Sequence, residues 1–130
     1  MPRIEHIALW VDDLEIICSF YARYFGASVG AQYENPAKGF CSRFLGFGAG
    51  ARIEVMKTTS FAPVRHAHGA QRMGLTHLAL SLGSEAEVDR LTLQLRADGH
   101  AVIDGPRRTG DGYYESVVLD PEGNRVELTV

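Results

Sequence analysis

Two histidines and two glutamates recur in this sequence at nearly the same spacing. His77 lies 71 residues after His6, and Glu127 lies 73 residues after Glu54. All four lie in strand-like segments, one histidine and one glutamate in each half of the chain. Two imidazole nitrogens and two carboxylate oxygens suit zinc, nickel, cobalt, manganese or iron, and six-coordinate ions keep positions for water or substrate. The set predicts a site for one divalent metal ion.

Strand alternation predicts where these side chains point. Successive side chains of a strand face opposite sides, so His6 shares a face with Trp10, and Glu54 shares a face with Met56. The apolar residues that flank the candidate ligands form the other face, where amphipathic helices must pack. We therefore expect the four ligands on the concave side of a sheet. Trp10 and Met56 are candidates for contacting an apolar part of a substrate, with core packing as the alternative.

A purely structural role for these residues is the alternative to the metal site. A single histidine on a strand is more often a hydrogen-bonded core residue than a ligand, and Glu54 alone can pair with Arg52. The same residue types at the same strand positions in both halves favour the metal site over a structural His–Glu network. Burying four such polar groups without partners is costly, and a cation removes that cost.

The elements that position these residues also repeat. Residues 3–57 align with residues 74–130, and each half contains one amphipathic helical segment between a capping residue and a glycine. The caps are Asp13 and Ser84, and the glycines are Gly26 and Gly99. Three strand-like runs follow each helix: 28–35, 40–46 and 51–57, then 101–106, 113–119 and 124–130. This order predicts an α+β fold of two βαβββ modules, about 1–57 and 74–130, joined by a linker at about 58–73.

Composition limits the function classes. The chain has 130 residues, 45% of them hydrophobic, and a net charge of -3. No basic run favours nucleic acid, and no apolar run approaches the roughly 20 residues of a membrane span. We expect a cytoplasmic protein with Cys18 and Cys41 as small apolar residues. His66 and His68 have a spacing that can bind metal, but surface loop is the favoured interpretation. The 107–114 segment predicts either a lid or a plain hairpin, the hairpin being favoured.

Three segments resemble the vicinal oxygen chelate superfamily, which includes glyoxalase I, methylmalonyl-CoA epimerase, fosfomycin resistance proteins and extradiol dioxygenases. They are Ile4–Leu9, Gly74–Leu80 and Asp120–Leu128. The resemblance covers nearly the whole chain and implies a single glyoxalase-like domain, 1–130, whose paired modules form an open, cup-shaped mixed sheet with outer helices and a metal inside. It also implies a homodimer.

The ligand set narrows the resemblance. Fosfomycin-type and dioxygenase-type members use two histidines and one glutamate, whereas His6, Glu54, His77 and Glu127 match bacterial-type glyoxalase I. That enzyme carries Arg four residues after the first histidine and Asn four residues after the first glutamate, where they contact glutathione. This chain has Trp10 and Thr58 there. The resemblance therefore implies the proton-transfer chemistry of that branch and argues against glutathione as a substrate component.

The resulting expectation is a metal-dependent lyase or isomerase acting on a small substrate with vicinal oxygens. The metal stabilises an enediolate after a base removes a carbon-bound proton. Either glutamate can be the base, because the predicted site is nearly symmetric. Glu127 is the favoured base and Glu54 is the alternative. A fosfomycin-type thiol transferase, an extradiol-type dioxygenase and a non-catalytic ligand-sequestering protein of bleomycin-resistance type are the remaining alternatives. The substrate, the metal, and whether modules pair within or between chains stay open.

Overall fold

The chain folds into two compact units, Met1–Arg65 and His66–Val130, in a computed structural model that describes residues 1–64 and 66–130. The boundary falls inside the predicted linker. Among the described residues, no helix is long and apolar enough to cross a membrane. The grouping of both units into one glyoxalase-like domain remains a prediction.

The first unit packs one helix on one sheet. Its elements are β1 (His6–Trp10), α1 (Leu14–Phe25), β2 (Ser28–Val29), β3 (Tyr33–Asn35), a 3-10 turn (Pro36–Lys38), β4 (Phe40–Gly46) and β5 (Arg52–Thr58). The sheet order is β1-β5-β4-β2, with β3 also paired to β4. The β1–β5 pair is parallel and the others are antiparallel, so the first and last strands of the unit are neighbours.

The second unit repeats this plan. Its elements are β6 (His77–Ser81), α2 (Glu85–Ala97), β7 (Val102–Arg108), β8 (Tyr114–Leu119) and β9 (Arg125–Thr129). The order is β6-β9-β8-β7, and β6–β9 is again the parallel pair. The predicted internal repeat and the two-module βαβββ arrangement are confirmed.

Both helices begin at the predicted caps. The Asp13 carboxylate accepts a hydrogen bond from the Ile16 N–H at 3.0 Å, and the Ser84 hydroxyl accepts one from the Glu87 N–H at 3.2 Å. Such a cap contributes about 1 kcal/mol by satisfying an N–H that lacks a helical partner. After α1, Gly26 takes a left-handed conformation with φ 65°, which a residue without Cβ adopts readily. The caps fix where each helix starts relative to the strand that carries the histidine.

The core lies between each helix and one face of its sheet. In the first unit, Ile17 and Tyr21 of α1 are fully buried, as are Leu45 and Val55 of the sheet. In the second unit the fully buried core residues include Val88 and Leu95 of α2 and Val126 and Leu128 of β9. Because alternate strand residues fill this core, the residues between them must occupy the opposite face.

One predicted strand is wrong in its extent. The run 28–35 was expected to be continuous, but the structure has two short strands, β2 and β3, separated by residues 30–32. Gly30 approaches β4 closely, since a Cβ there would lie 3.3 Å from the Phe44 carbonyl oxygen. A side chain there would crowd the β4 backbone, which favours a glycine at this position.

Candidate functional site

The first unit brings His6 and Glu54 together on the sheet face away from α1. In the parallel β1–β5 pair, Ala8 lies opposite Glu54, and His6 is one same-face step before Ala8. His6 Nε2 lies 3.9 Å from Glu54 Oε1. The Glu54 side chain is 20% exposed and the imidazole 39%, so both donors remain accessible from solvent.

The other ring nitrogen of His6 has a partner of its own. Glu5 holds His6 Nδ1 through one carboxylate oxygen and the Arg52 guanidinium through the other. Hydrogen bonds from His6 and Arg52 lower the pKa of Glu5. The Arg52 guanidinium also lies 4.1 Å above the Phe44 ring. A carboxylate on Nδ1 leaves Nε2 facing Glu54, which is the arrangement that orients metal-binding histidines.

Trp10 and Met56 share this face and lie opposite each other in the strand register. The Trp10 ring is 49% exposed and meets Phe61 at 5.0 Å and Phe40 at 6.0 Å between ring centroids, both edge-to-face. The structure thus brings both predicted substrate-contact residues onto the face that carries His6 and Glu54. Core packing is wrong for the exposed Trp10, whereas Met56 is half-buried.

The second unit brings His77 and Glu127 together in the same way. Ala79 lies opposite Glu127 in the parallel β6–β9 pair, and His77 Nε2 lies 3.4 Å from Glu127 Oε2. The Glu127 side chain is 16% exposed. The same strand positions, partner atoms and sheet face therefore recur in both units.

Glu115 is a neighbour of Glu127 that sequence reasoning missed. It lies on β8 two residues before Val117, the residue opposite Glu127, so alternation puts Glu115 and Glu127 on one face. Burial raises the pKa of Glu115, and a hydrogen bond with Glu127 and the charge of Glu127 raise it further. The alternation of the predicted 113–119 strand contained this signal. Glu5 was missed because a contact through Nδ1 depends on side-chain geometry.

The donor atoms of each pair fit a divalent cation. Each unit offers one imidazole Nε2 and one carboxylate on the same face, the mixed nitrogen and oxygen set that borderline divalent metals accept. Within residues 1–64 and 66–130, no group of three or more His, Cys, Asp or Glu side chains forms a candidate metal site. The geometry supplies two candidate ligands in each unit.

The remaining candidates are not members of these pairs. His66 and His68 are exposed and lie in a coil and a turn, in agreement with a surface loop. The 107–114 segment forms the end of β7, a hairpin loop closed by a 2.7 Å hydrogen bond from the Thr109 N–H to the Tyr113 carbonyl, and the start of β8. The predicted hairpin connection is confirmed. Cys18 is buried and Cys41 half-buried, both as free thiols.

Comparison with known proteins gives consistent matches over the full length. The family model described as the Glyoxalase/Bleomycin resistance protein/Dioxygenase superfamily matches residues 3–128. The uncharacterized protein YqjT of Bacillus subtilis (strain 168) is 30% identical over 96% of each chain. A lactoylglutathione lyase of Salmonella typhimurium is 29% identical over 97% of this chain and 90% of its own. The glyoxylase/bleomycin resistance protein/dioxygenase domain of Frankia sp. EAN1pec superposes with a TM-score of 0.82 at 18% identity, covering 100% and 98% of the two chains.

Proposed function

This chain belongs to the Glyoxalase/Bleomycin resistance protein/Dioxygenase superfamily, and we propose that it is a divalent-metal-dependent lyase or isomerase of glyoxalase type. One observation carries the proposal: the same His–Glu pair occurs at equivalent register positions in both units. A structural network gives no reason for such duplication, whereas the duplicated pair supplies the four nitrogen and oxygen donors that one divalent ion takes. The substrate is a small molecule with two adjacent oxygens and an acidic carbon-bound proton.

The proposed metal ligands are His6, Glu54, His77 and Glu127. Nickel, zinc, cobalt, manganese or iron fits this donor set. A divalent ion held by these residues would supply Lewis-acid stabilisation of the negative charge that develops on two adjacent substrate oxygens. Within the chain, Glu5 holds the Nδ1 proton of His6 and so keeps Nε2 available as the ligand atom.

Glu127 is the proposed base, with Glu54 as the alternative. A base must lie within hydrogen-bond reach of the proton that it removes, and either carboxylate meets this condition for a substrate held by the same ligands. Glu115 distinguishes the two, because this second carboxyl lies on the same strand face beside Glu127. A second carboxyl at that position gives the abstracted proton a place to be held before it returns to carbon. This makes Glu127 the better candidate.

Glutathione is an unfavourable substrate component on this proposal. The Salmonella relative is a lactoylglutathione lyase, but the resemblance to bacterial glyoxalase I fails at its two glutathione contacts, which are Trp10 and Thr58 here. Neither residue supplies a cation for a carboxylate group. We expect weak or absent turnover of the glutathione hemithioacetal of methylglyoxal, and turnover near the diffusion limit would contradict this part of the proposal.

Other reactions of the superfamily are distinguished by their co-reactants. A dioxygenase consumes oxygen, a thiol transferase consumes a thiol, and a sequestering protein turns over nothing. Glu54 favours proton transfer, because thiol-transferase and dioxygenase relatives have no ligating carboxylate at that position. Oxygen uptake with Fe(II) would support a dioxygenase instead.

Proton exchange tests the proposed chemistry directly. The probe is hydroxyacetone in D2O, with protein purified without a tag and loaded separately with nickel, zinc or cobalt. We expect deuterium to enter the carbon that bears the hydroxyl, as followed by proton NMR, and His77→Ala to lose both metal and exchange. Exchange that survives complete metal removal contradicts the proposal. So does an unsubstituted protein that holds no metal after loading.

Assembly and location complete the proposal. We expect a twofold homodimer, because each unit has an exposed sheet face that another module can cover. Sedimentation showing only monomer at micromolar concentration would count against it. A cytoplasmic location remains a prediction.

A further inference from the structure

An aromatic cluster is exposed on the sheet face that carries His6 and Glu54. It consists of Trp10, Tyr33, Phe40 and Phe61. The rings are in contact, since Trp10 meets Phe40 and Phe61, and Phe40 meets Tyr33 with centroids 6.1 Å apart. Phe61 is 54% exposed and Tyr33 57%, although large apolar side chains gain most when buried. Contiguous exposed apolar surface of this kind marks a place where something binds.

The cluster begins one same-face step from the candidate ligands. Trp10 and Met56 lie opposite each other, and the next same-face pair along the two strands is Ala8 and Glu54. One such step along a strand is about 7 Å. The small side chain of Ala8 leaves the space between His6 and Trp10 open. A ring on the cluster would therefore be separated by only a few bonds from oxygens held at Glu54.

The chemistry of the cluster selects its occupant. Its four rings carry no charge, so they offer no anchor for a charged group such as a peptide carboxylate. Trp10 is perpendicular to both Phe40 and Phe61, with interplanar angles of 88°. Aromatic rings add to such arrangements through further edge-to-face or offset contacts, which a short aliphatic group cannot make.

We propose that Trp10, Phe40 and Phe61 form a subsite for an aromatic ring of the substrate, joined by a short link to the two adjacent oxygens. This inference rests on the proposed function, because the metal ligands fix the oxygen-bearing end. It identifies the substrate class as an aryl-substituted compound with vicinal oxygens. A second copy of the chain is the competing occupant of the cluster.

Mandelate and lactate test the subsite as a matched pair. Both carry the same α-hydroxycarboxylate, but mandelate has a phenyl group where lactate has a methyl group. Trp10 is the single tryptophan of the chain, so its fluorescence reports on the cluster alone. Each compound is titrated into zinc-loaded and zinc-free protein, with calorimetry as the second readout.

We expect mandelate to bind the zinc-loaded protein about tenfold or more tightly than lactate, and to change Trp10 emission. Trp10→Leu and Phe61→Leu should bring the two affinities together, with Trp10→Leu followed by calorimetry. Lactate binding should change much less than mandelate binding in both variants. Leu93→Ala removes an exposed apolar side chain from α2 and should preserve the mandelate preference.

The outcomes separate this inference from the proposed function. Zinc binding with equal affinities for mandelate and lactate overturns the subsite and leaves the metal chemistry standing. If zinc does not bind, the proposed function fails. In that case the zinc-free titration still tests the subsite, and equal changes of Trp10 fluorescence with mandelate and lactate overturn it as well. Trp10 emission that depends on protein concentration, without a mandelate preference, identifies the cluster as a contact between copies and also overturns it.

Discussion

The two units share a topology and a His–Glu pair, but they surround that pair with different side chains. Where the first unit has Trp10 and Met56 in register, the second has Ser81 and Thr129. The same face beside the ligands is thus aromatic and apolar in one unit and hydroxyl-bearing in the other. The candidate ligands, the small residues Ala8 and Ala79, and the arginines Arg52 and Arg125 are held in common along these strand faces.

The partners of the ligands differ too. Glu5 holds His6 Nδ1 in the first unit, and Thr76 precedes His77 at the equivalent position. In the second unit the extra carboxyl is instead Glu115, beside Glu127, where the first unit has the buried Ser42. The first unit therefore has an extra carboxylate beside its histidine, and the second has an extra carboxyl group beside its glutamate.

This contrast shows that the strand register of the His–Glu pair can be kept while the side chains around the pair change. The parallel strand pair alone brings histidine and glutamate together, because it aligns the two strand faces whatever the neighbouring residues are. The neighbours are then free to differ. On our proposals, the first unit holds the carbon part of the substrate and the second moves the proton.

Removing one histidine gives the largest expected effect and tests whether the two pairs act together. His6→Ala and His77→Ala should each lower zinc affinity by more than about 100-fold, because losing a ligand costs more than losing its outer partner. Calorimetry gives the affinity and elemental analysis the stoichiometry. If each pair holds its own ion, either variant would retain one tightly bound zinc, and a single four-ligand site would be wrong.

Neutralising the two glutamates tests which unit moves the proton. Glu127→Gln should reduce deuterium exchange into hydroxyacetone by about 10²–10⁴-fold, beyond any loss of metal affinity, because an amide cannot act as a general base. Exchange is measured at saturating metal. Glu54→Gln is the matched control and should cost less in exchange at equal metal occupancy. The reverse order would move the base to the first unit.

The Glu5 contact offers a smaller and more specific test. Glu5→Ala should weaken zinc binding by about 10- to 100-fold, since His6 loses the carboxylate that orients its ring. Thr76→Ala, at the equivalent position, should leave the affinity nearly unchanged. Calorimetric titration of both variants measures the difference. Equal effects of the two changes would mean that the Glu5 contact does not orient the ligand.

Glu115 gives the smallest effect, visible in the pH dependence of stability of the metal-free protein. Its pKa is raised in the fold above its ordinary value near 4.5, so the folded state binds this proton more tightly than the unfolded state. Stability from this group is present at low pH and is lost as pH rises from about 4.5 through the raised pKa. Glu115→Gln should flatten that decline in urea unfolding measured across the range. An unchanged slope would show that Glu115 is not shielded.

The sequence predicted the fold better than it predicted the neighbours of the ligands. Helix caps, turns and strand alternation are local signals, so Asp13, Ser84 and the faces of His6 and Glu54 were accessible from it. The break between β2 and β3 was not, because the extent of a strand depends on which of its residues pair with β4 and not on the run alone. Glu5 and Glu115 required side-chain positions on adjacent strands. Whether the four proposed ligands hold one ion stays a prediction.

The parallel strand pairs also have a consequence for folding kinetics. Each pair joins residues almost a whole unit apart, since 48 residues separate His6 from Glu54 and 50 separate His77 from Glu127. Contacts of such sequence separation form late, after the loop-closure entropy has been overcome. A cation that binds such a pair stabilises the sheet only after both strands have paired, because neither strand holds both ligands. Its binding free energy therefore adds to the stability of the completed sheet alone. Metal binding would then selectively stabilise chains with the correct strand order over chains with misregistered strands.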